Sequence, residues 1–187
     1  MTTLCVNTAK TQNLAKEVRG AAVELILTIM TKAPGMFKGN VTFIQEMITL
    51  GMTLLVELEH GNNIEAWNSE HSKENGIFTQ EPFSLGKEIL DKLAVTMKGQ
   101  NVLPHIMQLL PLYLQSEDWV RQHTGLIAIG VVSEGCHELF DTNLQELLTM
   151  VLPFLSHAQP RLKWAACTTL GLILTEFAPK IELLGHA

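Results

Sequence analysis

The sequence predicts an all-α protein, a right-handed α-solenoid of about four antiparallel helix pairs, with incomplete pairs at both ends. Three observations predict this architecture. Apolar residues recur with helical spacing, and the stripe over 103–114 returns 41 residues later over 144–155. Hydrophobic residues make up 47% of the chain and aromatic residues 6%, which suits packed helices better than sheets. A period of about 40 residues is typical of solenoids, in which each helix pair is buried by its neighbours.

Two complete repeats are predicted in the most regular part of the sequence, at 101–136 and 142–178. Each opens with an apolar stripe at i, i+3, i+4 and i+7 spacing, the pattern of an amphipathic helix A, and a polar turn then leads to a helix B. Helix B of the last repeat contains Ala165, Ala166 and Gly171, small residues that predict close helix packing. The period and the paired helices together indicate HEAT repeats.

Turn and cap signals mark the ends of the last repeat. Asp141 or Thr142 is expected to cap helix A, because Asp and Thr side chains accept hydrogen bonds from free N–H groups at a helix start. Pro160 suits the first position of helix B, where its missing N–H costs little. Ala178 and Pro179 are expected to end helix B, because proline disfavours the α conformation in the residue before it.

The repeat continues upstream with one interruption. In the repeat at 40–98, helices A and B are separated by 23 more residues than in the later repeats, which predicts a polar, acidic insertion at about 57–81. Residues 1–34 are predicted as a partial repeat, mainly a helix B, and 181–187 as the start of the next helix A. Because repeats with polar outer faces are missing from both ends, we expect an internal piece of a longer array.

Composition excludes several classes of function. Lys and Arg total 13 against 19 Asp and Glu, for a net charge of −6, which argues against nucleic-acid binding and favours a basic protein partner. Cys5, Cys136 and Cys167 lack the spacing of a zinc site, and Cys136 and Cys167 are expected to be small buried side chains in a reducing compartment. Membrane-span, metal, cofactor and catalytic motifs are absent from the sequence, so we expect neither membrane insertion nor an enzyme.

Several segments resemble the importin-beta (karyopherin) family, and in particular its importin-5, or karyopherin beta-3, branch. Asp118–Leu126 followed by Glu134–His137 is similar to one repeat of that branch. Gln159–Cys167 resembles the repeat that follows, and Leu25–Thr28 with Ala33–Pro34 resembles an earlier one. The similarity runs through essentially the whole chain in one order.

This resemblance implies a function in nuclear transport. Members of the family carry import cargo, so cargo proteins with basic signals are expected to bind the concave surface, formed mostly by B helices. In the full-length protein, Ran-GTP is expected to release cargo, and phenylalanine-glycine (FG) nucleoporins to dock between outer helices. The protein is then expected to shuttle between cytoplasm and nucleus. The main alternative is a generic HEAT-repeat scaffold subunit of a stable cytosolic assembly. We expect a monomer, although exposed terminal helices would allow a dimer.

Eight residues are candidates for partner binding on charge and aromatic character: Glu57, Glu59, Glu65, Trp67, Glu70, Glu74, Asp118 and Trp119. The glutamates are expected to attract a basic partner through long-range steering.

Each group of candidates also has a structural interpretation. The insertion suits a solvated flap, with Trp67 anchoring it to the solenoid, and Asp118 and Trp119 suit a helix cap and a packing aromatic. Arg161 and Lys163 are expected to be structural. His123 and His137 are expected to be packing or surface residues rather than metal ligands.

Overall fold

The computed structural model describes residues 1–58 and 81–185, with backbone alone at 140–143 and 178–185. Every regular element in this part of the chain is a helix. Eight α-helices follow in order: α1 Thr2–Lys10, α2 Lys16–Lys32, α3 Val41–Val56, α4 Pro82–Met97, α5 Gly99–Leu114, α6 Trp119–Val132, α7 His137–Val151 and α8 Pro160–Gly185. Short 3-10 turns cover Pro34–Met36 and Leu152–Ser156. None of the described helices combines the length and apolar character that crossing a membrane requires.

The helices stack in two layers. The odd-numbered helices contact one another in chain order, as do the even-numbered helices, and each odd-numbered helix packs on the even-numbered helix that follows it. This arrangement is an α-solenoid of antiparallel helix pairs, so the predicted all-α repeat architecture is confirmed. The even-numbered helices occupy the places predicted for B helices, which gives them one continuous surface.

The core lies between the two layers and is densest around α3. Burying one such aliphatic side chain contributes about 1.5–3 kcal/mol, so this interface supplies much of the stability. The largest fully buried side chains are on α2, α3 and α4: Ile26, Met30, Ile44, Met47, Ile48, Leu50, Met52, Leu54, Leu55, Ile89 and Leu90. At Gly86 a Cβ atom would lie 2.8 Å from the Gly51 carbonyl oxygen, so α3 and α4 cross with their backbones in contact.

Two predicted helix ends are wrong. α7 begins at His137, so Asp141 and Thr142 lie within the helix and do not cap it. Leu139 packs against the core and extends the apolar stripe by a turn toward the amino terminus. α8 continues through Pro179 to Gly185, so residues 181–185 belong to that helix and not to a new one. An internal proline removes one backbone hydrogen bond and can kink a helix, but the turns on either side can persist.

Two predictions about small residues also need correction. Nothing lies within 4 Å of a Cβ atom added at Gly171, whereas at Gly130 such an atom would lie 3.1 Å from Thr169 Cα. The close approach of α6 and α8 is therefore made at Gly130, because Gly171 is on the exposed side of α8. For the same reason Cys167 is exposed, while Cys136 is buried as expected.

Candidate functional site

Glu57, the first of the predicted binding residues, is held in a bidentate ion pair. Arg19 Nη1 donates to Glu57 Oε2 at 2.8 Å and Arg19 Nη2 donates to Oε1 at 2.7 Å. Arg19 Nε donates to the Ala9 carbonyl oxygen at 2.8 Å. The Arg19 side chain is 5% exposed and that of Glu57 19% exposed, so the pair is largely shielded from water. Glu57 thus joins the end of α3 to α2 and, through Arg19, to α1.

The other border of the predicted insertion is held in a similar way. Lys16 Nζ lies 2.6 Å from Glu81 Oε2, just before α4 begins. Lys16 and Arg19 are about one turn apart on α2, so the residues that flank the insertion are attached to the same end of one helix. Their negative charges are compensated within the chain.

The remaining predictions divide into two groups. Five of the predicted binding residues lie outside the described residues, so their proposed roles stay predictions: Glu59, Glu65, Trp67, Glu70 and Glu74.

Asp118 and Trp119 are described, and both have local partners. Asp118 caps α6, because its Oδ1 accepts a hydrogen bond from the Val120 N–H at 3.0 Å. Trp119 packs against the core, and the guanidinium carbon of Arg161 lies 5.6 Å from its ring centroid. Their structural interpretations are confirmed, while partner binding by either residue stays a prediction.

His123 lies at the centre of an aromatic cluster that joins three even-numbered helices. Its ring centroid is 5.7 Å from that of Phe83, 6.4 Å from that of Trp119 and 6.1 Å from that of Trp164. Burial, together with the positive charges of Arg161 and Lys87, lowers the pKa of His123 to about 3. His123 is therefore neutral at physiological pH and acts as a packing residue, as the sequence indicates.

A second acidic group lies on the even-numbered layer, and the sequence interpretation did not single it out. Asp91 is on α4, Glu134 follows the end of α6, and Glu176 is on α8. These three residues are called the acidic face below. Burial raises the pKa of Asp91 above its usual value, and the nearby charges of Glu134 and Glu88 raise it further, against the opposing effect of Lys92. The carboxylates of Asp91 and Glu134 therefore repel one another across the junction of α4 and α6.

An open cleft of about 480 Å³ adjoins the acidic face. Glu134, Glu138 and Glu176 line it, and Lys98 is the only lysine or arginine among its lining residues. The carboxyl ends of α4 and α6 and the amino ends of α5 and α7 all lie beside this cleft, so their helix dipoles oppose one another and the three glutamates supply its negative charge. The cleft therefore favours a positively charged ligand.

Close backbone packing fixes the position of Glu134. A Cβ atom at Gly135 would lie 2.5 Å from the Ala94 carbonyl carbon, so the turn after α6 is pressed against the end of α4. The Gly99 N–H donates to the Gly135 carbonyl oxygen at 3.1 Å. Burial raises the pKa of the adjacent Cys136 thiol to about 12, so this side chain is neutral and adds no nucleophile to the cleft.

The arrangement suits binding and offers no evident catalytic or metal chemistry. In the part of the chain that the structure describes, no three His, Cys, Asp or Glu side chains form a group that could hold a metal ion.

The sequence does contain a signal for the acidic face. Asp91, Glu134 and Glu176 are separated by 43 and 42 residues, which is close to one repeat length, so a search for acidic residues at the repeat period would have found them.

The amino-acid sequence matches a known protein family. A family model described as Importin repeat matches residues 11–104, just over half of the chain. The chain belongs to the importin repeat family. Importin subunit beta-3 of Saccharomyces cerevisiae is 26% identical over 179 residues, which cover 95% of this chain and 16% of that relative.

Solved structures of Kap121p show the same importin fold. Kap121p bound to RanGTP superimposes with a TM-score of 0.84 and 22% identity, covering 95% of this chain and 18% of that one. A Kap121p variant with three acidic residues replaced by lysine gives a TM-score of 0.86 and 22% identity, covering 99% and 18%. The chain thus spans about a sixth of the length of the importins that it matches.

Proposed function

We propose that this chain is part of a nuclear transport receptor and binds a basic segment of an import cargo on its acidic face. The observation that supports this proposal is the placement of Asp91 on α4, Glu134 just after α6 and Glu176 on α8, beside an open cleft. Burial is the main cause of the raised pKa of Asp91, and lysine or arginine side chains of a ligand would offset the repulsion from Glu134 and Glu88 that adds to it. Charge complementarity of this kind supplies specificity and fast association.

The spacing of the acidic face adds support. In the Kap121p variant, the three acidic residues replaced by lysine are separated by 43 and 42 residues. Asp91, Glu134 and Glu176 have the same two separations. Because residues one repeat apart lie on the same side of a solenoid, we infer that the acidic face corresponds to the surface altered in that variant.

Regulated release belongs to the same proposal. In the full-length protein, RanGTP would bind elsewhere on the solenoid and change its pitch, which lowers affinity for cargo at the acidic face. The complex of Kap121p with RanGTP supports this part of the proposal. The full-length receptor would then carry cargo from cytoplasm to nucleus and return.

The binding proposal is tested with a fluorescently labelled peptide that contains four consecutive lysines. Its affinity for the 187-residue chain is measured by fluorescence anisotropy in about 0.1 M salt. The charge-reversal variant Asp91→Lys/Glu134→Lys/Glu176→Lys is expected to bind at least about 30-fold more weakly, because attraction at three sites becomes repulsion.

A matched control carries the same change in net charge away from the acidic face. Glu46→Lys/Glu117→Lys/Glu146→Lys is expected to lose less than about 3-fold in affinity, because none of these residues lines the cleft and salt screens charges elsewhere on the surface. Circular dichroism confirms that both variants are folded. Equal losses in the two variants, or no loss in the first, would overturn the proposal. Cargo that stays bound to the full-length protein in the presence of RanGTP would instead favour the scaffold alternative.

A further inference from the structure

Lys98 has a backbone conformation that lysine seldom adopts. It forms the one-residue link between α4 and α5, with φ 67° and ψ 140°. Among the described residues, it is the only one besides glycine with a positive φ. The Cβ atom crowds the backbone in this region, whereas glycine adopts it readily. The link would be less strained with glycine at position 98.

Packing on both sides forces this conformation. α4 ends at Met97 and α5 begins at Gly99, so a single residue must reverse the chain. Gly99 cannot move away, because a Cβ atom there would lie 2.6 Å from Cys136 Cα and its N–H bonds to the Gly135 carbonyl oxygen at 3.1 Å. The fold therefore determines the backbone conformation at position 98, whichever side chain is present there. Strained residues of this kind often occur where the side chain has a function.

The Lys98 side chain lies in the cleft beside the acidic face. Glu134, Glu138 and Glu176 line the same cleft, and Lys98 is exposed. Within the described part of the chain, the Lys98 ammonium group forms no ion pair, so it is not fixed to one carboxylate. A lysine in this position reduces the negative potential of the cleft through its field and can be displaced.

We propose that Lys98 is an internal competitor that weakens the binding of basic ligands at the acidic face. The inference rests on the proposed function, because it assumes that lysine-rich segments bind there. Its consequence is a threshold: the Lys98 charge offsets part of the attraction, so only ligands with several positive charges bind tightly. A sequence with a neutral residue at position 98 would bind less selectively.

The test compares three single substitutions with the same tetralysine peptide in about 0.05 M salt. Lys98→Gln removes the charge while keeping a long side chain, and it is expected to raise affinity about 3- to 10-fold. Lys98→Arg keeps the charge and should leave affinity unchanged. Lys38→Gln is the matched control, because Lys38 is exposed in the loop before α3 and does not line the cleft. It should change affinity less than about 1.5-fold, and the gain from Lys98→Gln should fade in about 0.5 M salt.

Two results would overturn the competitor role. In one, Lys98→Gln binds no more tightly than Lys38→Gln; in the other it binds more weakly, which would mean that Lys98 contacts the ligand favourably. Failure of the proposed function is recognised separately, because the charge-reversal variant of the acidic face would then keep its affinity. Thermal unfolding of Lys98→Gly tests whether the backbone at position 98 is strained. The unfolding midpoint is expected to rise, and a lower midpoint would contradict the strain.

Discussion

Two groups of acidic residues in this chain have opposite surroundings. Glu57 and Glu81 border the predicted insertion, and each is paired with a basic residue of α2. Asp91 and Glu176 lie on α4 and α8 and Glu134 just after α6, and within the described residues none of the three forms an ion pair. The difference shows that a density of carboxylates along the sequence does not by itself identify a surface for basic ligands. What matters is whether the fold has already compensated them.

The largest effect on stability is expected from breaking the ion pair between Arg19 and Glu57. Arg19→Met should lower the free energy of unfolding by about 3 kcal/mol, because it leaves the largely buried Glu57 carboxylate and the Ala9 carbonyl without their partner. Urea denaturation measures the loss. Arg121→Met, at an exposed position on α6, serves as the control and should cost less than about 0.5 kcal/mol. Similar small losses in both variants would show that Glu57 does not depend on Arg19.

A smaller effect of opposite sign, a gain in stability, is expected from neutralising Asp91 in the acidic face. Burial and neighbouring carboxylates raise the pKa of Asp91 above 3.8, so the folded state holds this proton more tightly than the unfolded chain does. The ionised carboxylate therefore costs stability at pH 7, and this cost is lost as the pH falls through the folded pKa toward 3.8. Asp91→Asn should stabilise the chain at pH 7 by less than about 1 kcal/mol, since the site is partly exposed.

The pH dependence of this gain supplies its own check. Urea denaturation of Asp91→Asn and of the unchanged chain is compared at pH 7 and again near pH 4, where the difference should shrink. Glu57→Gln is the contrasting variant and should lose stability at pH 7, because it breaks a bidentate pair with Arg19. Destabilisation by Asp91→Asn at pH 7 would mean that Asp91 has a favourable partner.

The smallest effect on stability is expected from breaking the exposed ion pair between Lys16 and Glu81, at the second border of the insertion. The side chains of Lys16 and Glu81 are 48% and 32% exposed, so water and salt screen their attraction. Lys16→Gln should lower the free energy of unfolding by about 0.3 kcal/mol, measured by urea denaturation in low salt. The difference should vanish in about 0.5 M salt. A loss as large as that of Arg19→Met would show that both pairs are equally important for the fold.

Much of the fold could be predicted from the sequence because its signals are local and repeated. The stripe from Leu103 to Leu114 and its copy over 144–155 identify helices that must share a buried face. The longer gap in the repeat at 40–98 likewise predicts an insertion, which would lie between α3 and α4. Helix ends were less predictable, because the proline rule at Pro179 describes a preference that tertiary packing can override.

The site was less predictable because it depends on which repeats come together. Arg19 and Glu57 are 38 residues apart, and the separation alone does not indicate an ion pair. Asp91 and Glu134 come together only because the turn at Gly135 is pressed against Ala94 at the end of α4. The exposure of Cys167 depends similarly on the rotation of α8 about its axis, which a composition of small residues does not determine.

The most direct test of the account is an NMR titration of the ¹⁵N-labelled chain with the tetralysine peptide. The account predicts that the largest amide shift changes occur at Asp91, Glu134, Glu176 and their neighbours, while Glu57 and Glu81 stay nearly unchanged. Changes concentrated within 57–81, at residues such as Glu65 and Glu70, would contradict it and would assign basic-ligand binding to the insertion.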